Sequence, residues 1–91
     1  MLDSASDYLT GLGFICTMDS HKGKLFALHY EDPHTLEYRQ LGASINMEAT
    51  AFEIYTSNDR EEYWIYKGTD LNVFKRTCAS LAAAIKASYS S

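Results

Sequence analysis

The sequence predicts an α+β fold: a short N-terminal helix, an antiparallel meander of four to five strands, and a long C-terminal helix packed on one sheet face. Apolar residues recur at helical spacing near both ends of the chain. In the middle of the chain they alternate with polar residues, as in strands. Short turn-like segments separate the alternating stretches. Strands joined by such short connections pair antiparallel, because a parallel pair needs a long crossover. The other face of such a sheet commonly meets water.

The first helix is expected over residues 3–12. Ala5, Tyr8, Leu9 and Leu12 recur there at the spacing of one helical face. The glycines at its end favour termination, because glycine tolerates the left-handed conformation that closes many helices.

A hairpin is expected next, over residues 14–32. Pairing Asp19 with Leu25 leaves a three-residue loop, with Gly23 at the position where such loops prefer glycine. This register places six residues on the face that meets the helices: Phe14, Cys16, Met18, Phe26, Leu28 and Tyr30. It places Ile15, Leu25 and His29 on the opposite face.

Three more strands are expected before the second helix. Residues 36–41 and 50–57 alternate well enough for strands, and residues 61–68 follow a tight turn at Asn58–Asp59. Residues 42–49 give no clear pattern and are open to a strand, a bulge or a turn.

The C-terminal helix is the strongest periodic signal in the chain. Thr69 or Asp70 is expected to cap it. Its apolar face consists of Leu71, Phe74, Cys78, Leu81 and Ile85. Residues 88–91 are expected to fray, and residues 1–91 to form a single domain.

The sheet face away from the helices carries an unusual aromatic group. Pairing Ile54 with Tyr63 and Phe52 with Ile65 sends the apolar side chains toward the helices. The opposite side then collects the candidate partner-binding residues, which are Trp64, Tyr66, Tyr55, Glu53, Glu61 and Glu62. Tyr38 and the hairpin residues Ile15, Leu25 and His29 would enlarge this group.

Two explanations of the aromatic group stay open. Exposed strand aromatics stabilise a sheet by pairing across strands, and a helix that crossed to this face would bury them. Alternatively, an exposed tryptophan beside tyrosines has the composition of a protein-interface hot spot. Surrounding carboxylates would then favour a basic partner surface.

Composition and spacing argue against most other functions. Twelve acidic against eight basic residues give a net charge of −4, which disfavours direct nucleic-acid binding. His21, His29 and His34 do not converge on one point, so neither a metal nor a cofactor is expected. Two cysteines, no leader-like start and no long apolar run predict a cytoplasmic protein that does not enter the membrane. No cleft with paired catalytic groups is expected, so the protein is not expected to be an enzyme.

The leading hypothesis is therefore a small acidic interaction module. An inhibitor, an immunity-type protein or a phage or plasmid accessory protein would suit its size, and each would occlude a partner protein through the aromatic-acidic face. One alternative is a homodimer, or a binder of a small apolar molecule, that uses the same face. A lower-ranked alternative is a nucleic-acid mimic that fills a basic groove.

Overall fold

The computed structural model describes residues 2–32, 34–58 and 60–90. Its elements are α1 (Leu2–Gly11), β1 (Ile15–Ser20), β2 (Gly23–Glu31), β3 (Tyr38–Asn46), β4 (Phe52–Ser57), β5 (Glu62–Gly68) and α2 (Leu71–Ser90). The five strands form one antiparallel sheet in sequence order, with β1 and β5 at its edges. The α+β prediction, with a helix at each end of a meander, is confirmed.

The two faces of the sheet differ in what covers them. Both helices lie on one side, which we call the inner face, where Leu9 of α1 and Phe74 of α2 are fully buried. The strand residues buried with them are Phe26, Leu41, Ala43, Ile45, Phe52 and Ile54. Phe52 and Phe74 stack with their ring centroids 4.9 Å apart. The opposite side, the outer face, carries no helix in the part of the chain described.

The start of α2 is capped as the sequence predicted. The Asp70 carboxylate accepts hydrogen bonds from the backbone N–H groups of Asn72 at 2.9 Å and Val73 at 3.1 Å. These bonds satisfy donors that have no partner within the helix. The Asp70 N–H in turn donates to the Tyr66 hydroxyl at 3.2 Å, which ties the end of β5 to the helix.

Strand β3 is longer than the sequence indicated. It begins at Tyr38 instead of residue 36 and continues to Asn46 through the segment that gave no pattern. Leu36 lies before the strand with a left-handed φ of 61°. After the strand, the Asn46 side chain accepts the N–H groups of Thr50 at 2.7 Å and Ala51 at 3.0 Å. This side-chain cap makes the turn into β4.

The predicted register of the first hairpin is wrong. Ser20 pairs with Gly23, so the loop has two residues, and a bulge at Thr17 adds one residue to β1. Cys16 stays on the side predicted for it, that of Phe26, with which it pairs. The bulge turns Met18 to the outer face, where it pairs with Leu25. A bulge has this effect because one extra residue reverses the alternation of side chains beyond it.

The predicted register of β4 with β5 is also wrong. Ile54 pairs with Tyr66, and Tyr55 pairs with Trp64, so Ile65 is the extra residue of a second bulge. Tyr66 therefore lies on the inner face, where it packs against the core. The turn predicted at Asn58–Asp59 includes a residue outside those described. The Asn58 side chain accepts the N–H groups of both residues 60 and 61 at 2.8 Å.

The two cysteines lie in different environments. Cys78 on α2 is fully buried, and burial raises the pKa of its thiol to about 12. Cys16 was expected on a core face, but it is exposed because β1 is the edge strand. Both thiols are free.

This difference predicts selective thiol chemistry. In the native protein at pH 8, one thiol should react promptly with a disulfide reagent, because the thiolate is the reacting species and must be accessible. The second should react only after unfolding in denaturant. Cys16→Ser should bring the native count to zero. Prompt reaction of two thiols in the native wild-type protein would contradict the burial of Cys78.

Among the residues described, no helix is long and apolar enough to cross a membrane. The frayed tail predicted for residues 88–91 includes a position outside the described residues, so it stays a prediction.

Candidate binding surface on the outer face

A row of five residues crosses the centre of the outer face. It runs from Ile15 on β1 through Ala27, Gly42 and Tyr55 to Trp64 on β5, each opposite its neighbour in the sheet. Ile15 and Trp64, at the two ends, are 64% and 49% exposed. The small residues in the middle leave space above the backbone, and this space determines how the row packs.

Tyr55 fills the space above Gly42. A Cβ atom at Gly42 would overlap the Tyr55 ring, so the ring lies directly against the glycine backbone. Tyr55 is only 8% exposed although no helix covers it. Burial raises the pKa of the Tyr55 hydroxyl, and the nearby Glu62 carboxylate acts in the same direction. A hydrogen bond with the Gln40 side chain acts in the opposite direction.

Trp64 is held from two sides. The Tyr55 ring meets it in an edge-on arrangement, with ring centroids 5.3 Å apart and planes at 64°. The Lys67 ammonium lies 4.2 Å from the centroid of its ring. Lys67 is itself 3.8 Å from the Glu53 carboxylate. Edge-on aromatic pairs and cation–π contacts are both favourable, so the half-exposed indole is oriented before any partner arrives.

These contacts continue toward the other end of the face. His29 Nε2–H donates to Gln40 Oε1 at 3.1 Å, and the His29 ring stacks on Tyr38 at 5.9 Å. Gln40 also bonds to Tyr55. A chain of side-chain contacts therefore links Tyr38 on β3 to Trp64 on β5. We call the set Tyr38, His29, Gln40, Tyr55, Trp64, Lys67 and Glu53 the outer patch.

The predicted site residues separate into two groups. Trp64, Tyr55, Glu53 and Glu62 lie together on the outer face. Tyr66 was expected beside them, but the bulge at Ile65 sends it to the inner face.

Glu61 lies outside the outer patch as well. It precedes β5, and its carboxylate accepts a hydrogen bond from the Tyr63 hydroxyl. Tyr63 pairs with Thr56, which belongs to the inner side. The Glu61 carboxylate is therefore hydrogen-bonded to Tyr63, a residue of the inner side, and not to a residue of the outer patch.

Sequence reasoning missed three contributors to the surface, whereas Ala27 was expected on this face of the first hairpin. The three missed residues are Gln40, Gly42 and Lys67. Only Gly42 carried a usable signal, because an isolated glycine inside a strand often marks the close approach of another group. The pairing of Lys67 with Glu53 follows only from the observed register of β4 with β5, which includes a bulge that the sequence pattern does not indicate.

The charges on this face are few and mostly acidic. Glu53 and Lys67 pair with each other, and Glu62 adds a second carboxylate in the row beside Tyr55. The whole chain carries a net charge of −4.

The three histidines lie in separate parts of the fold. His29 is on the outer face, His21 is in the turn after β1, and His34 is in the loop after β2. Within residues 2–32, 34–58 and 60–90, no three metal-binding side chains come together. The expectation that no metal binds stays a prediction.

Comparisons with protein-family models, with curated proteins and with solved structures found no match.

Proposed function

We propose that the protein is a small interaction module that occludes a partner protein through the outer patch. The observation that carries this proposal is the half-exposed Trp64, oriented by Tyr55 and Lys67 on a sheet face that neither helix covers. An inhibitor, an immunity-type protein or a phage or plasmid accessory protein would work in this way. The mechanism is steric and needs no catalytic group.

The geometry supports binding because the Trp64 side chain is already oriented in the free protein. Ordering a mobile side chain at an interface costs about 0.5–1.5 kcal/mol, and a side chain held in the free protein avoids much of that cost. Tryptophan and tyrosine also predominate among residues whose loss strongly weakens protein interfaces. Trp64 is accessible and oriented, while Tyr55 beneath it provides a rigid base.

The charge pattern favours a partner with a basic surface. The outer patch presents Glu53 with Glu62 beside it, and its one lysine is already paired. On a chain with a net charge of −4, these carboxylates would speed encounter with a basic surface and slow encounter with an acidic one. The same charges disfavour single-stranded nucleic acid, which would otherwise stack on exposed rings.

Trp64 is the only tryptophan, so its fluorescence reports directly on this face. The free protein should be monomeric by sedimentation, with emission that acrylamide quenches readily at every concentration. Protection from quenching that disappears on dilution would show that a second copy occupies the face, and would overturn the foreign-partner proposal.

The partner test compares two variants of one strand. Trp64→Ser should weaken binding to a purified basic partner by at least about thirtyfold, because hot-spot truncations cost about 2 kcal/mol or more. Tyr63→Ser is the matched control, since Tyr63 is 53% exposed but belongs to the inner side. Calorimetry should give one partner per chain, and binding should weaken as salt rises. Equal effects of the two variants would refute the outer patch as the binding surface.

A further inference from the structure

A cationic group already lies against Trp64 in the free protein. The Lys67 ammonium is 4.2 Å from the centroid of the indole ring and 3.8 Å from the Glu53 carboxylate. The register brings these groups together, because Glu53 pairs with Lys67 at the outer-face position next to Trp64 on β5. The ring and the carboxylate therefore form a site that accepts a positive charge. We call Trp64 and Glu53 the cation site.

Lys67 occupies the cation site only loosely. Its side chain is 58% exposed, and its distance of 3.8 Å from the Glu53 carboxylate is longer than a hydrogen bond. Ion pairs and cation–π contacts are both weak at such exposed positions. The Lys67 side chain can turn into solvent without disturbing a neighbouring strand, because β5 is an edge of the sheet. Tyr55 still holds the indole when Lys67 leaves, so a cation from another molecule can take the vacated position.

A guanidinium group suits the cation site better than an ammonium group does. It is planar, so it can stack on the indole and still direct two N–H groups at a carboxylate. It is also more weakly hydrated than an ammonium, which makes its contact with a ring less costly. Glu62, which precedes Trp64 on the same face of β5, adds a second negative charge nearby. These features favour arginine over lysine as the group that binds.

We propose that the partner inserts an arginine at the cation site, where the guanidinium displaces the Lys67 ammonium, stacks on Trp64 and pairs with Glu53. This contact rests on the proposed function, in which a basic partner covers the outer patch. Lys67 acts as an internal competitor, so that only a group that binds the site better than an ammonium displaces it. Recognition of arginine then selects among basic partners of similar charge.

Two peptides of equal charge test the preference for arginine. Tetra-arginine and tetra-lysine with blocked ends differ only in the cationic group, and both are attracted to a chain with a net charge of −4. In low salt, tetra-arginine should bind at least about threefold more tightly, within the range of an exposed cation–π contact, and should protect Trp64 from acrylamide. Equal affinities of the two peptides would overturn the proposal.

The preference for arginine should depend on the Glu53 carboxylate. Glu53→Gln keeps the shape of the side chain and removes its charge, so tetra-arginine and tetra-lysine should bind this variant alike. Asp7→Asn is the matched control, because Asp7 is exposed on α1, on the opposite side of the sheet. It changes the net charge by the same amount and should keep the preference. Loss of the preference in both variants, or in neither, would refute the pairing with Glu53.

Lys67→Met tests the displacement itself, because methionine keeps an unbranched side chain and removes the competing charge. Affinity for tetra-arginine should rise about two- to fivefold, the worth of an exposed cation–π contact that no longer has to be broken. Lys75→Met is the matched control, since the Lys75 ammonium also lies over a ring, 4.6 Å from the Tyr8 centroid, but on the helical side. Unchanged affinity in Lys67→Met, or an equal rise in both variants, would refute Lys67 as a competitor.

Failure of the arginine contact is distinguishable from failure of the proposed function. If Trp64→Ser weakens binding of the purified partner but the two peptides bind alike, the outer patch is the binding surface and the arginine contact is refuted. If the peptides behave as expected but Trp64→Ser leaves partner binding unchanged, the proposed function is refuted, and with it the partner's use of the cation site. Circular dichroism verifies that each variant is folded.

Discussion

Gly42→Ala should destabilise the protein by about 1–3 kcal/mol, the usual cost of forcing an extra methyl group into a packed site. The substitution normally has the opposite sign in a strand, because glycine there costs about 0.5–1 kcal/mol relative to alanine. At Gly42 the Tyr55 ring reverses the sign of this stability change, because a Cβ there would overlap the ring. Urea unfolding measures the loss of stability. Trp64 emission should change with it, because Tyr55 is one of the two groups that hold the indole.

The cause can be isolated with a double-mutant cycle. In a Tyr55→Ser background the ring is absent, so adding Gly42→Ala should cost little, and the coupling between the two sites should exceed about 1 kcal/mol. Gly11→Ala is the matched control, because a Cβ there meets nothing within 4 Å. A stabilising Gly42→Ala, or zero coupling, would contradict the packing of Tyr55 on the glycine.

Phe74→Ala should destabilise the protein by about 3–5 kcal/mol, the usual cost of truncating a fully buried phenylalanine. Phe74 is fully buried and stacks on Phe52, so the substitution leaves a cavity where α2 meets the sheet. At about 0.05–0.15 kcal/mol per residue, a chain of 91 residues has roughly 5–14 kcal/mol in total. The variant should therefore be partly unfolded, or unfold at much lower urea concentration.

Two milder changes calibrate that loss. Phe74→Leu keeps most of the volume and should cost less than half as much. Val73→Ala removes a side chain that is only partly buried on the same helix, and should cost about 1 kcal/mol or less. A Phe74→Ala protein as stable as Val73→Ala would show that α2 is not anchored through this ring.

The sequence was sufficient for the fold class and for much of the outer face. Helical spacing located both helices, and residue type and position narrowed the cap of the second helix to Thr69 or Asp70, of which the structure shows Asp70. Tyr55, Trp64, Ile15, Leu25 and His29 were all predicted on the outer face, and the structure places them there. Such predictions succeed where alternation is unbroken, because burial of one face fixes the parity of every residue along the strand.

The errors in which face a residue occupies come from the two bulges. Each inserts one residue into an edge strand, at Thr17 and at Ile65, and neither residue type signals a bulge. The bulge at Ile65 moved Tyr66 from the candidate surface to the inner face, and the bulge at Thr17 moved Met18 the other way. Both bulges lie between strands that follow one another in the chain, and they depend on how the two strands pair, which the alternation along a single strand does not contain. The packing of Tyr55 on Gly42 arises from a different pairing, that of β3 with β4.

Placing a bulge in each edge strand also limits how copies of this protein can join. A regular edge strand offers an unbroken ladder to which another chain can add, and repeated addition builds an open-ended fibre. Here both exposed ladders are interrupted within strands of six and seven residues. By contrast, two copies that meet through their outer faces about a two-fold axis cover both faces, so no third copy can add there. The architecture therefore favours finite, countable complexes over polymers, even at high concentration.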